Sequence, residues 1–115
     1  MNICVIGGAG YIGSHAVKLL VQKGHQVTCI DNLTNGHRGS VDPAARFYAA
    51  DLALTARIID IFQQEKIDAV MHFAASAYVG ESVTDPRKYF RNNVSNTVSM
   101  LDAMHASKIK KLVFS

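Results

Sequence analysis

Cysteine is scarce here, at two residues in 115, and charged side chains make up only 18% of the chain. Cys4 and Cys29 both lie inside apolar runs, too few and too enclosed for a disulfide framework or a thiolate metal site. They read as small core residues of a reducing compartment. The five histidines show no ligand spacing, so no metal site is expected. No stretch approaches the roughly 18 uninterrupted apolar residues of a membrane span, and the first residues lack the charged start and apolar stretch of a secretory leader. A cytoplasmic protein with no membrane partner is expected. Low-complexity tracts, internal repeats and linker-like segments are also missing, which excludes disorder and leaves room for one domain. The formal charge of +3 comes from scattered residues, with one local run at Lys108, Lys110 and Lys111. Without interleaved aromatics, that run describes a solvated helix end and no nucleic-acid partner.

The residues that are present alternate between two periods. Asn2 to Ile6 is a short apolar run ending in glycine, as in a strand buried on both faces. Tyr11 to Lys23 follows with Ile12, Ala16, Leu19 and Leu20 at helical spacing, and Gly24 as a stop. Gln26 to Asp31 is a second strand, Asn32 to Ala45 a loop rich in turn residues, and Arg46 to Ala50 a weaker third strand. Leu54 to Gln64 places Ile58, Ile61 and Phe62 on one helical face, and Ala69 to Phe73 is a fourth strand. Asp85-Pro86 opens a helix reaching about Ser107, because the aspartate can cap a free N–H and proline tolerates the first helical position. Its apolar residues Tyr89, Phe90, Val94, Val98, Leu101 and Met104 form a broad stripe, predicting burial on more than one side. A fifth strand starts at Lys111. Such alternation implies an α/β fold: a Rossmann-like, doubly wound parallel sheet of about five strands in the order 3-2-1-4-5, helices on both faces. The sheet is incomplete, and the chain reads as a fragment.

At the first strand-to-helix junction stands GGAGYIGSH, residues 7 to 15, with Gly7, Gly10 and Gly13 spaced by three. A glycine turn into a helix aims the free N–H groups of the first turn at whatever lies above, and the helix dipole favours an anion there. Gly7 permits the turn, Gly10 leaves room for a pyrophosphate, and Gly13 lets helix and strand pack closely. Asp31 ends the second strand 18 residues after Gly13, near the roughly 20 expected for a carboxylate that binds an adenosine ribose. A 2′-phosphate would be repelled there, so the expected cofactor is NAD, with Arg38 the nearby cation that NADP would need. No lysine followed by Ser or Thr closes the glycine run, which excludes a Walker-type loop. Alternatives without a ligand are a bare glycine turn and a turn-capping Asp31.

The chain also resembles the N-terminal third of the UDP-glucose 4-epimerase family, extended short-chain dehydrogenases/reductases. The resemblance is carried by GGAGYIGSH, DNLTNG at 31 to 36, Asp51-Leu52, HFAA at 72 to 75, VGESV at 79 to 83, NNV at 92 to 94 and KKLVFS at 110 to 115. It implies that Tyr11 and Ile12 contact the pyrophosphate and that Asp31, Asn32, Leu33, Thr34, Asn35 and Gly36 wrap the ribose. It further implies that Asp51 and Leu52 flank the adenine, that Phe73, Ala74, Ala75, Ser76 and Ala77 line the groove, and that Asn92 reaches the phosphates or nicotinamide. Several relatives carry lysine where this chain has Ala77. Phe73 and Leu52 also suit a plain core, Asp51 a helix cap, and His72 a hydrogen-bonded structural histidine. In the family a serine beyond the fifth strand and a Tyr-x-x-x-Lys pair act on a UDP-sugar substrate by proton and hydride transfer at C4 of the sugar. Ser115 falls two residues short of that serine, and no Tyr-x-x-x-Lys occurs. The resemblance therefore implies the NAD-binding part of an isomerase of galactose metabolism, inactive alone, its complete form a homodimer. A related nucleotide-sugar dehydratase or decarboxylase, or a noncatalytic dinucleotide sensor, are the alternatives.

Overall fold

The computed structural model describes residues 1–32, 37–73 and 86–114, the side chains at 86 and 88–93 excepted. Strands β1 (Asn2–Ile6), β2 (Gln26–Asp31), β3 (Arg46–Ala49), β4 (Ala69–His72) and β5 (Lys111–Phe114) form one sheet in the order β3-β2-β1-β4-β5. Every pairing is parallel. Helices α1 (Tyr11–Gln22), α2 (Thr55–Gln64) and α3 (Pro86–Ala106) connect them, with a 3-10 turn at Arg38–Ser40 inside the predicted loop. Asp85, the expected cap of α3, lies outside the described residues.

β1 is central, hydrogen-bonded to β2 on one side and β4 on the other, and its last four residues are buried. That position explains a run with no polar alternation, because both faces are covered by helices. On one face Cys4, Ile6, Ile30 and Val70 pack with Ile58, Ile61 and Phe62 of α2 and Met100, Ala103 and Met104 of α3. On the other face Ile3, Val5 and Val27 meet Val17 of α1, with Leu20 and Val21 at the margin. The two cysteines are free and buried.

Two helical stripes differ from expectation. α1 buries Gly13 and Val17, while Ile12 and Leu19 are 63% and 52% exposed. The missing side chain at Gly13 draws that face onto the sheet and rotates Ile12 and Leu19 outward. On α3, Val94, Val98 and Leu101 are exposed, and the inner stripe is Met100, Ala103 and Met104. Apolar residues stand on both sides of α3, and packing covers only one.

The chain winds outward from β1 to β3 and then returns to β4 on the opposite side of β1. The connections leaving the C-terminal ends of β1 and β4 therefore run to opposite sides of the sheet, the switch point at which such sheets bind ligands.

Candidate functional site

A cleft sits at that switch point, lined by Ile6, Gly7, Gly10, Ile30, Asp31, Asn32, Ala50, Asp51, Leu52, Phe73 and Asn96. Four strands deliver these residues at their ends, and α3 contributes one from the side. The lining therefore brings together Gly7, Gly10, Asp31, Asn32, Asp51, Leu52 and Phe73 from widely separated parts of the chain. The side chains of Tyr11 and Ile12 do not line it and are 82% and 63% exposed. Any contact of theirs with a ligand would run through backbone N–H groups. Leu33, Thr34, Asn35, Gly36, Ala74, Ala75, Ser76 and Ala77 lie outside the described residues, as does the side chain of Asn92.

The glycine turn is fixed by two bonds to β2 and one to His37 in the segment that follows it. Gly7 N–H donates to the Ile30 carbonyl at 2.7 Å, Ala9 N–H to Oδ2 of Asp31 at 3.0 Å, and His37 N–H to the Ala9 carbonyl at 3.1 Å. Asp31 thus holds the turn in addition to facing the cleft. Among the described residues no side chain caps the first turn of α1, and that turn carries no acidic residue. Its amides and the positive end of the dipole are left to an anion from elsewhere.

The four glycines of the run serve different needs. Gly7 has φ 83°, open to glycine and strained for other residues. A Cβ on Gly13 would stand 2.1 Å from the Gly7 carbonyl oxygen, and one on Gly8 would stand 2.3 Å from Sγ of Cys29. Gly8 was not singled out by spacing, and its requirement comes from a residue 21 positions away on β2. Gly10 differs from all three. Its φ of −77° and ψ of 175° suit any residue, and a Cβ there would meet only the Gly7 oxygen, at 3.4 Å. Among the described residues nothing demands glycine at this position, which faces the cleft. A cradle that a Cβ would fill fits a phosphate group brought against the backbone.

Asp51 accepts a hydrogen bond from Ala53 N–H at 2.9 Å, and Leu54 N–H bonds the Asp51 carbonyl. The carboxylate therefore shapes the turn after β3 and does not cap α2, whose N-cap is Leu54. Leu52 is both core and lining, at 6% exposure. Arg38 lies outside the lining, its guanidinium 5.1 Å from the centre of the Phe47 ring. His72 departs from expectation. It is 2% exposed and stacks on Phe114 at 4.9 Å, yet neither ring nitrogen has a hydrogen-bond partner among the described residues. Burial pushes its imidazole below the ordinary value, favouring the neutral ring. Cys29, beneath Gly8, is pushed up to about 12, first by burial and then by the Asp31 charge, so it is inert as a nucleophile.

Ile6, Ile30 and Ala50 join the lining as apolar strand-end residues, and Asn96 is the polar lining residue that spacing did not reveal. The signal was available four residues on from Asn92, which places both on one face of α3.

A model of the NAD dependent epimerase/dehydratase family matches residues 3–115. The chain belongs to that family. Among curated relatives, a UDP-glucose 4-epimerase of Lactobacillus helveticus is 54% identical over 115 residues, covering 100% of this chain and 35% of the relative. A probable UDP-arabinose 4-epimerase of Arabidopsis thaliana is 46% identical over 123 aligned positions, covering 99% of the chain and 30% of the relative. The crystal structure of UDP-glucose 4-epimerase from Brucella ovis in complex with NAD superposes with a TM-score of 0.94 at 46% identity, covering 98% of this chain and 34% of that one. The chain thus spans about a third of the length of the epimerases it matches. Like them, this member of the epimerase/dehydratase family has a Rossmann-type parallel sheet. No helix among its described residues is long and apolar enough to cross a membrane.

Proposed function

We propose that this chain is the NAD-binding part of a UDP-glucose 4-epimerase, an enzyme interconverting UDP-glucose and UDP-galactose through a 4-keto sugar. The observation that carries the reading is Gly10, a cleft-facing glycine that neither its dihedrals nor its neighbours require. A diphosphate lying on the amides of Tyr11, Ile12 and Gly13 explains why nothing larger stands there. Asp31, at the end of β2, accepts the hydroxyls of the adenosine ribose and disfavours a 2′-phosphate. Arg38, occupied over Phe47, offers that phosphate no compensation. Asn32 continues the ribose wall, Asp51 and Leu52 flank the base and Phe73 borders the groove, and the family resemblance assigns Leu33 to Gly36, Ala74 to Ala77 and Asn92 to the same cofactor.

NAD bound here supplies a hydride acceptor that can return the hydride to the opposite face of the sugar. The residues of this chain bind and orient it. The tyrosine and lysine that move the proton, and the UDP-sugar site, belong to the part of such enzymes that the chain does not cover. Residues 1–115 alone are accordingly inactive. The complete enzyme is a cytoplasmic homodimer, with the exposed Val94, Val98 and Leu101 of α3 suited to a partner helix. A dehydratase or decarboxylase reading is weaker, since the curated relatives above carry epimerase names.

The test is calorimetric titration of the full-length protein with NAD and NADP, together with conversion of UDP-galactose followed by NMR. NAD is expected to bind far more tightly than NADP, and Asp31→Ala to narrow that gap. Equal affinities in the parent protein would remove the assigned role of Asp31, and turnover to a 4-keto product alone would favour the dehydratase.

A further inference from the structure

α3 inverts the ordinary partition of its side chains. Val94, Val98 and Leu101 stand in solvent, whereas Asn96 lies on the inward stripe that continues through Met100 and Ala103, both fully buried. Asn96 itself is half-buried, so its amide stays open to a ligand in the cleft. Asn96 lines the cleft together with Ala50, Asp51 and Leu52. Of the polar lining side chains, the carboxylates of Asp31 and Asp51 can only accept, and take Ala9 N–H and Ala53 N–H, while the two amides are Asn32 at the end of β2 and Asn96 on α3. An adenine offers an amino donor at N6 flanked by ring-nitrogen acceptors, so carboxylates alone leave those ring nitrogens unpaired. A side-chain amide has both a donor and an acceptor at the right separation, the pairing by which asparagine reads the N6–N7 edge of adenine.

We propose that Asn96 is a base-reading residue of the cleft, its Oδ1 accepting from the 6-amino group of adenine and its Nδ2 donating to N7. The strand-end residues Asp51 and Leu52 take the other edge, so the base is held between β3 and α3. This inference rests on the dinucleotide reading of the site and adds to it the residue that selects the base.

The experiment is titration of the full-length protein with ADP and with 7-deaza-ADP, which lacks the N7 acceptor but keeps the amino group. The parent protein is expected to bind ADP about five- to tenfold more tightly than the 7-deaza analogue. Asn96→Leu, similar in shape, and Asn96→Asp, which keeps the acceptor but loses the donor, are expected to bind the two alike. If Asn96 only packs, both ligands weaken equally in the variants and the parent's ratio persists, which overturns the assignment. A parent protein that binds ADP but does not distinguish it from the analogue also overturns it while leaving the dinucleotide reading intact. Failure to bind ADP at all overturns that reading first.

Discussion

Replacing Gly10 with alanine separates the demands of the fold from those of the ligand. The backbone at Gly10 already has dihedrals open to alanine, and the new methyl would meet only the Gly7 oxygen at 3.4 Å, ordinary contact. Alanine is a poorer helix cap than glycine by roughly 0.5–1.5 kcal/mol, and a less flexible unfolded chain offsets roughly 0.4–1 kcal/mol. The net change in stability is within about 1 kcal/mol, a melting shift of no more than about 5 °C. Binding should respond very differently. A methyl against the first turn of α1 holds a diphosphate off the amides, and each charge-assisted hydrogen bond lost costs about 1.5–3 kcal/mol. Two such bonds raise the Kd at least about a hundredfold. Gly13→Ala is the control with opposite signature, because its Cβ would stand 2.1 Å from a carbonyl oxygen. Backbone must move, costing about 3 kcal/mol, at the upper end of overpacking. Thermal melts and calorimetric NAD titrations read both quantities. Unchanged NAD affinity in Gly10→Ala, or a melt as damaged as that of Gly13→Ala, would refute the reasoning.

Other consequences follow from the packing beneath and around the cleft. Gly8→Ala should destabilise by about 1–3 kcal/mol through its clash with Cys29, and Cys29→Ala should restore most of that loss; additive effects in a double-mutant cycle would contradict the contact. The lowered His72 pKa favours the neutral ring in the folded state, so stability present above the unfolded value of about 6.5 should decline as pH falls from there toward the folded value. His72→Phe keeps the stack on Phe114 and should flatten that decline in urea titrations from pH 7 to 5; an identical slope would show that His72 is not its source. Glu65 accepts from the Tyr48 hydroxyl at 2.6 Å and pairs with Nε of Arg46 at 3.2 Å. Glu65→Ala should therefore cost about 1–2 kcal/mol, whereas Arg46→Ala, with a side chain 71% exposed, should cost less than about 1 kcal/mol. The reverse order in chemical denaturation would assign the bond's worth to the surface ion pair.

The order of elements could be read directly from residue patterns, because short apolar runs and helical spacing are local properties. β2 and β5 begin where the pattern places them, and most other boundaries agree to within one residue. The strand order followed from strands alternating with helices, because right-handed crossovers leave few ways to wind a parallel sheet. The clustering of Gly7, Asp31, Asp51 and Phe73 was legible for the same reason: each ends or follows a strand, and parallel strands bring such ends together.

Sequence by itself determined the class of fold, the glycine turn and the carboxylate on the adjoining strand, since these depend on chain-local periods and on residue types at fixed offsets. Only tertiary structure decided which apolar stripe of α1 and α3 turned inward, because both helices carry apolar residues on several sides and the sheet covers one. It alone distinguished Gly8, whose missing Cβ makes room for a thiol on β2, from Gly10, where no described residue needs the space. It alone brought Asn96 into the same cleft as Asp51. Those distinctions rest on contacts between residues far apart in the chain, which no local pattern records.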